Sequence, residues 1–106
     1  MLVRSLLFLL LVLLCSMSMA QDRLTHEQWP KDGYVPNEET AIKIALAVWE
    51  PIYGAGKIAR QAPYTAELKD GVWIVQGTLP KNAVGGTAVA AISKKDGTIL
   101  QVFHSK

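Results

Sequence analysis

The spacing of apolar residues changes period once along this chain, and that change limits the folds open to it. From Glu38 to Glu50 the residues Ala41, Ile44, Ala45, Val48 and Trp49 recur at intervals of three and four, which places them on one stripe of a helix. After Pro63 the period falls to two. Tyr64, Ala66 and Leu68 share one strand face with Thr65, Glu67 and Lys69 opposite, and Trp73, Val75, Gly77 and Leu79 share a face of a second strand. Ala88, Ala90 and Ile92 do so in a third, from Thr87 to Ser93, and Ile99 to His104 makes the fourth. A helix followed by strands in hairpin order predicts an α+β domain of two layers, one long helix packed on a curved four-stranded antiparallel sheet.

Local signals set the ends of these elements. Asn37 is the natural N-cap, and Glu38 and Glu39 fall in the first turn, where the helix dipole favours negative charge. Pro51 lacks an amide hydrogen and crowds the preceding turn, so the helix should end or kink near Glu50, with Ile52 and Tyr53 extending the stripe beyond. Gly54-Ala55-Gly56 breaks the regularity, and Lys57 to Gln61 fits one short helical turn. Asp70-Gly71 and Lys95-Asp96-Gly97 read as tight turns, and Pro80 to Gly86 as a longer connection. Trp49 and Trp73 each belong to the apolar stripe of their own element and are core candidates. Tyr53, Tyr64 and Trp29 are less constrained and are candidates for a partner surface. A single helix cannot cover a broad sheet, which leaves a concavity or an edge strand for a partner.

The first twenty residues carry a different instruction. Arg4, the apolar run from Leu6 to Leu14 and the small-residue exit Ser18-Met19-Ala20 read as a secretory signal cleaved near Ala20. The run ends at Cys15 and Ser16, short of the roughly 20 apolar residues of a membrane span. A lipid anchor on Cys15 is the second reading, and it meets Leu14 where a small residue belongs. Residues 1–20 are thus a signal peptide, 21–32 an extended lead-in and 33–106 one domain, placed in the periplasm or secreted, with no stable membrane insertion after cleavage. Cleavage would remove the only cysteine, so packing alone has to hold the domain together.

Charge and side-chain inventory narrow the chemistry. Lys and Arg number 11 against 9 Asp and Glu, and without Arg4 the balance is close to neutral, which removes the usual footprint of nucleic-acid binding. His26 and His104 read as solvent-accessible histidines, too few for a nucleophile's base or for a zinc site, and His26-Glu27 has no second histidine at metalloprotease spacing. Glu50, Glu67, Asp70 and Asp96 would need to meet for two-carboxylate hydrolysis, yet turn chemistry accounts for both aspartates. Gly54-Ala55-Gly56-Lys57-Ile58-Ala59 matches a dinucleotide fingerprint in letters only, because it follows a helix and not a strand. The inventory therefore predicts no catalytic residue, no metal site and no cofactor.

The segment from Gly33 to Gly54, GYVPNEETAIKIALAVWEPIYG, resembles the start of the nuclear transport factor 2 fold immunity proteins of bacterial toxin systems. The likeness continues through PYTAELKDGVWIVQGTLP at Pro63 to Pro80, Gly85-Gly86, and ISKKDGTIL at Ile92 to Leu100. The resemblance implies a small cystatin-like or nuclear transport factor 2-like domain. It also implies a protein that binds a cognate toxin and protects the cell making both, without turnover; the signal would put that protection in the periplasm. Fuller members of the fold superfamily have more helices and a broader, cone-shaped sheet, so no deep ligand cavity is expected here. A helix followed by a meander with a W-x-V strand is also similar to exported peptidase-inhibitor modules, which stand as the alternative, with a carboxylate-dependent hydrolase as a third class.

Overall fold

A computed structural model describes residues 30–106, and the expectations for the leader and for His26 and Trp29 lie outside the described residues. Helix α1 spans Glu38–Tyr53. Asn37, in extended conformation, accepts the Thr40 amide at 2.9 Å through Oδ1 and so satisfies one of the free donors at the helix start. Ala41, Ala45 and Trp49 lie four residues apart along the buried centre line, with Ile42, Ile44 and Leu46 flanking it half-buried. The stripe is thus centred on small residues and one large one.

Pro51 does not stop this helix. It sits inside the last turn, where its missing N–H costs only the bond to the carbonyl of the exposed Ala47, and the ladder resumes with the Gly54 amide donating to Glu50 O at 2.9 Å. Ile52, expected on the stripe, is exposed, whereas Tyr53 is half-buried. Gly54 caps α1 and opens the short helix α2, Ala55–Ala59, so the fingerprint-like glycines join two helices. Ile58 drops into the core from α2, and the Tyr64 hydroxyl donates to its carbonyl at 2.8 Å.

Four strands follow: β1 Thr65–Lys69, β2 Val72–Gln76, β3 Ala88–Ser93 and β4 Ile99–His104. They form one antiparallel sheet in the order β1-β2-β3-β4. The β1–β2 hairpin closes with two residues of positive φ, Asp70 at 49° and Gly71 at 77°, the backbone that matches the strands' own twist. Between β3 and β4 the register slips: Gln101 pairs with Ala91 and Ile99 with Ile92, leaving Leu100 as the extra residue of a bulge that adds twist to this margin.

Trp73 and Val75 of β2 and Ala88, Ala90 and Ile92 of β3 turn toward α1, and all five are buried. The alanines keep the sheet surface low where the helix crosses, while Trp49 packs beside Tyr64 with ring centroids 6.1 Å apart. The Trp73 indole N–H donates to Val35 O at 2.8 Å, and Val35 in turn donates to Lys94 O, so the segment before α1 is laced to the β3–β4 turn. Two face assignments made from alternation fail at the margins. Leu68 is 46% exposed because β1 is an edge strand, and Leu79 lies beyond the end of β2 and is 42% exposed.

Asp96 illustrates how a turn can register pH. Hydrogen bonds from the Thr98 side chain, and then from its amide at 2.9 Å, hold this exposed carboxyl below its ordinary range. A depressed folded-state pKa gives stabilisation that is present above the unfolded value and lost as pH falls through the folded one. The urea midpoint of Asp96→Asn should therefore lie below that of the natural chain near neutrality, and the gap should close below about pH 4. A gap that widens with acidification would contradict this account.

Candidate functional site

At the end of the sheet where β2 connects to β3, α2, the connection and the last residue of β4 enclose an open cleft of about 270 Å³. Lys57, Arg60 and Gln61 line one side, Leu79, Pro80, Ala83, Val84 and Gly86 another, and His104 closes it. Gln61 is a structural member of that wall. It is 4% exposed, its Oε1 accepts the Ala88 amide at 2.8 Å and its carbonyl accepts Thr78 N at 2.7 Å, which ties the end of α2 to the start of β3 and to the connection. Buried polar groups are satisfied in this way at a net gain of about 1 kcal/mol per bond, and leaving one open costs more.

The other side is held by a clasp. Ser105 donates its amide to Thr87 O and accepts the Thr87 amide on Oγ, each at 2.8 Å. Gly86 runs so close beneath it that a Cβ would overlap the carbonyl and hydroxyl of Ser105. His104 is fixed by the same closure. Its Nδ1 lies 2.9 Å from Ser105 O, an acceptor only, so the proton sits on Nδ1, and the ring meets Tyr53 edge-on at 5.6 Å. Nε2 is buried with no hydrogen-bond partner among the described residues. The expectation of a solvent-accessible His104 is therefore corrected: the ring is half-buried because the end of β4 folds against the last turn of α1.

The cleft end has its own electrostatics. At the far end of the sheet, Asp32, Glu38, Glu39, Asp70 and Asp96 are interspersed with Lys31, Lys43, Lys69, Lys94 and Lys95. The charged side chains that line the cleft among the described residues are Lys57 and Arg60, while Lys81 lies in the connection, Lys106 two residues after His104 and Glu50 in the last turn of α1. Ion pairs among the described residues join Lys43 to Glu39 and Lys69 to Glu67, both away from this end. Lys57 lies 6.0 Å from the Tyr53 ring centre, a weak cation–π contact at an exposed site. A chain near neutral in total thus carries a local positive patch.

The remaining candidates are placed elsewhere. Glu50 lies at the opposite end of α1 from the Asp70 and Asp96 turns, and Glu67 pairs with Lys69 on an exposed strand face, so the four carboxylates do not converge. Among the described residues no group of three or more His, Cys, Asp or Glu is placed to hold a metal ion, and no helix is long and apolar enough to cross a membrane. Tyr64, offered as a surface residue, is half-buried against Trp49. Tyr53 instead supports a wall of the cleft through His104.

Helix and open antiparallel sheet define a small α+β domain of the nuclear transport factor 2 type. The model of the NTF2 fold immunity protein family matches residues 40–106, and the chain belongs to that family. The match takes in both lysine and arginine of the cleft as well as His104. Among curated relatives, the uncharacterized protein YbbC of Escherichia coli K12 is 32% identical over 87 residues, 80% of this chain and 70% of YbbC. The uncharacterized protein YhhH of the same strain is 30% identical over 73 residues, 68% of this chain and 58% of YhhH. No solved structure matches the chain.

Proposed function

We propose that this is an exported immunity protein that binds a cognate toxin in the periplasm and neutralises it stoichiometrically, without turnover. Membership of the immunity family over residues 40–106 is the observation that carries the reading. The leader-like residues 1–20 supply the export step, with cleavage near Ala20, residues 21–32 as the lead-in and residues 33–106 as the binding domain. A rigid two-layer scaffold suits this task, because an occluding partner works by shape and by anchors held in place before contact. No cofactor enters such a mechanism.

Co-expression of the full chain with the product of its neighbouring gene, directed to the periplasm, tests the reading. The cells should survive the neighbour's toxicity, and the two proteins should co-purify in a fixed ratio. A toxic neighbour that kills unchanged and never binds would remove the pairing, and slowed proteolysis by a secreted protease would favour an inhibitor module instead.

A further inference from the structure

We infer that the cleft between α2 and the β2–β3 connection receives an acidic side chain of the polypeptide this protein binds. The inference rests on the immunity reading for the class of partner, and on the cleft itself for the chemistry. Among the described residues, the Lys57 and Arg60 side chains line the cleft without an ion pair or hydrogen bond of their own, whereas Lys43 and Lys69 elsewhere on the domain are paired with glutamates. Among the described residues no carboxylate lines it. Two unpaired cations beside one concavity repel each other in the free protein, and an incoming carboxylate both relieves that repulsion and gains the planar, two-point contact that a guanidinium offers.

Shape and polarity point the same way. At about 270 Å³ the cleft lies just below the range of about 300–1,000 Å³ typical of small-molecule sites, and it suits one or two side chains. Its lip is apolar, with Leu79 42% exposed and Val84 fully exposed, so aliphatic side chains of a partner would find apolar surface there. A glutamate or aspartate flanked by aliphatic residues would set its carboxylate between Lys57 and Arg60 while its neighbours cover Leu79 and Val84. The walls are already in place, since Gln61 and the Ser105 clasp hold them in the free protein.

The test uses the full chain made in an exporting host and purified as that host processes it, labelled for NMR. The probes are a capped Leu-Glu-Glu-Leu peptide, its Leu-Gln-Gln-Leu counterpart, and sodium acetate. The Glu peptide should shift the signals of residues 57–61, 79–86 and His104 in a saturable and salt-sensitive way, at least about tenfold more tightly than the Gln peptide. Lys57→Glu combined with Arg60→Glu should lose that response at least about tenfold while keeping its melting temperature, both residues being exposed. Equal response to the two peptides, no response up to about 10 mM, or acetate acting as well as the peptide would overturn the inference. In the toxin assay, a doubly reversed variant that protects as well as the natural chain would sink the cleft and leave the immunity reading standing. Failure of the natural chain to protect would remove that reading, while the titration still decides the cleft.

Discussion

Trp49→Ala should abolish, or nearly abolish, the cooperative unfolding transition of this domain at room temperature. Trp49 is the largest fully buried side chain, closing the core between α1, Tyr64 and the sheet. Removing a buried aromatic costs about 3–5 kcal/mol in lost transfer free energy and residual cavity. A domain of this size holds about 4–12 kcal/mol in all, at about 0.05–0.15 kcal/mol per residue, and the domain has no cysteine with which to reinforce the fold. If the variant still folds, its melting temperature should fall by more than about 12 °C. Trp49→Phe separates volume from polarity. The Trp49 Nε1–H is buried and finds no acceptor among the described residues, so phenylalanine removes an unsatisfied donor, worth about 1–3 kcal/mol, along with part of the ring. Its urea midpoint should stay close to that of the natural chain, and an alanine variant within about 1 kcal/mol of natural stability would refute this view of the core.

That same residue shows why the core could be read from the sequence. Periodicity reports which face of an element meets another, and at Trp49, Trp73, Val75, Ala88, Ala90 and Ile92 the face chosen by spacing is the buried one. The two-residue turn at Asp70-Gly71 was equally legible, because positive φ at both positions has few sequence solutions. Spacing fails where an element reaches the margin of the layer. Leu68 alternates correctly yet is exposed at the edge strand, and Ile52 continues the helical stripe past the point where the helix has a sheet beneath it. Pro51 in the last turn does not end the helix, because its missing N–H costs a single bond there, whereas its penalty is full in mid-helix.

The cleft was not legible, since its parts come from three separate segments. Lys57 and Arg60 sit on a helix too short to show a period, and His104 looked like an ordinary residue near the end of a strand. Their shared location follows from α1 running the length of the sheet, which brings Tyr53 against His104. Gln61 had no sequence signal at all; a buried glutamine bonding two segments is apparent only once Ala88 and Thr78 are in place. One signal was available. Gly85-Gly86 lies within the stretch that resembles the immunity family, and glycine pairs mark places where backbone must come close or turn unusually.

Gly86→Val should therefore open the cleft without melting the core. A Cβ at this position overlaps the Ser105 carbonyl as well as its hydroxyl, and although the hydroxyl could rotate away the backbone carbonyl could not. Either β3 or the chain after His104 has to shift, at about 1–3 kcal/mol for the forced displacement. Each clasp bond between Thr87 and Ser105 lost in that shift adds about 1 kcal/mol. Amide exchange should accelerate at Thr87 and Ser105 by about tenfold or more, since those protons are the ones the clasp protects, while Val75 and Ala90 in the middle of the sheet keep most of their protection. Gly85→Ala provides the contrast. Gly85 has open space around a Cβ but a φ of 110°, so alanine there strains the loop backbone and leaves Ser105 untouched. If the clasp is what holds His104 as a wall, Gly86→Val should also weaken the acidic-peptide response of the cleft, and Gly85→Ala should spare it. Equal exchange rates at Thr87 and Ser105 in the valine variant and the natural chain would mean that the clasp does not depend on the close approach of Gly86.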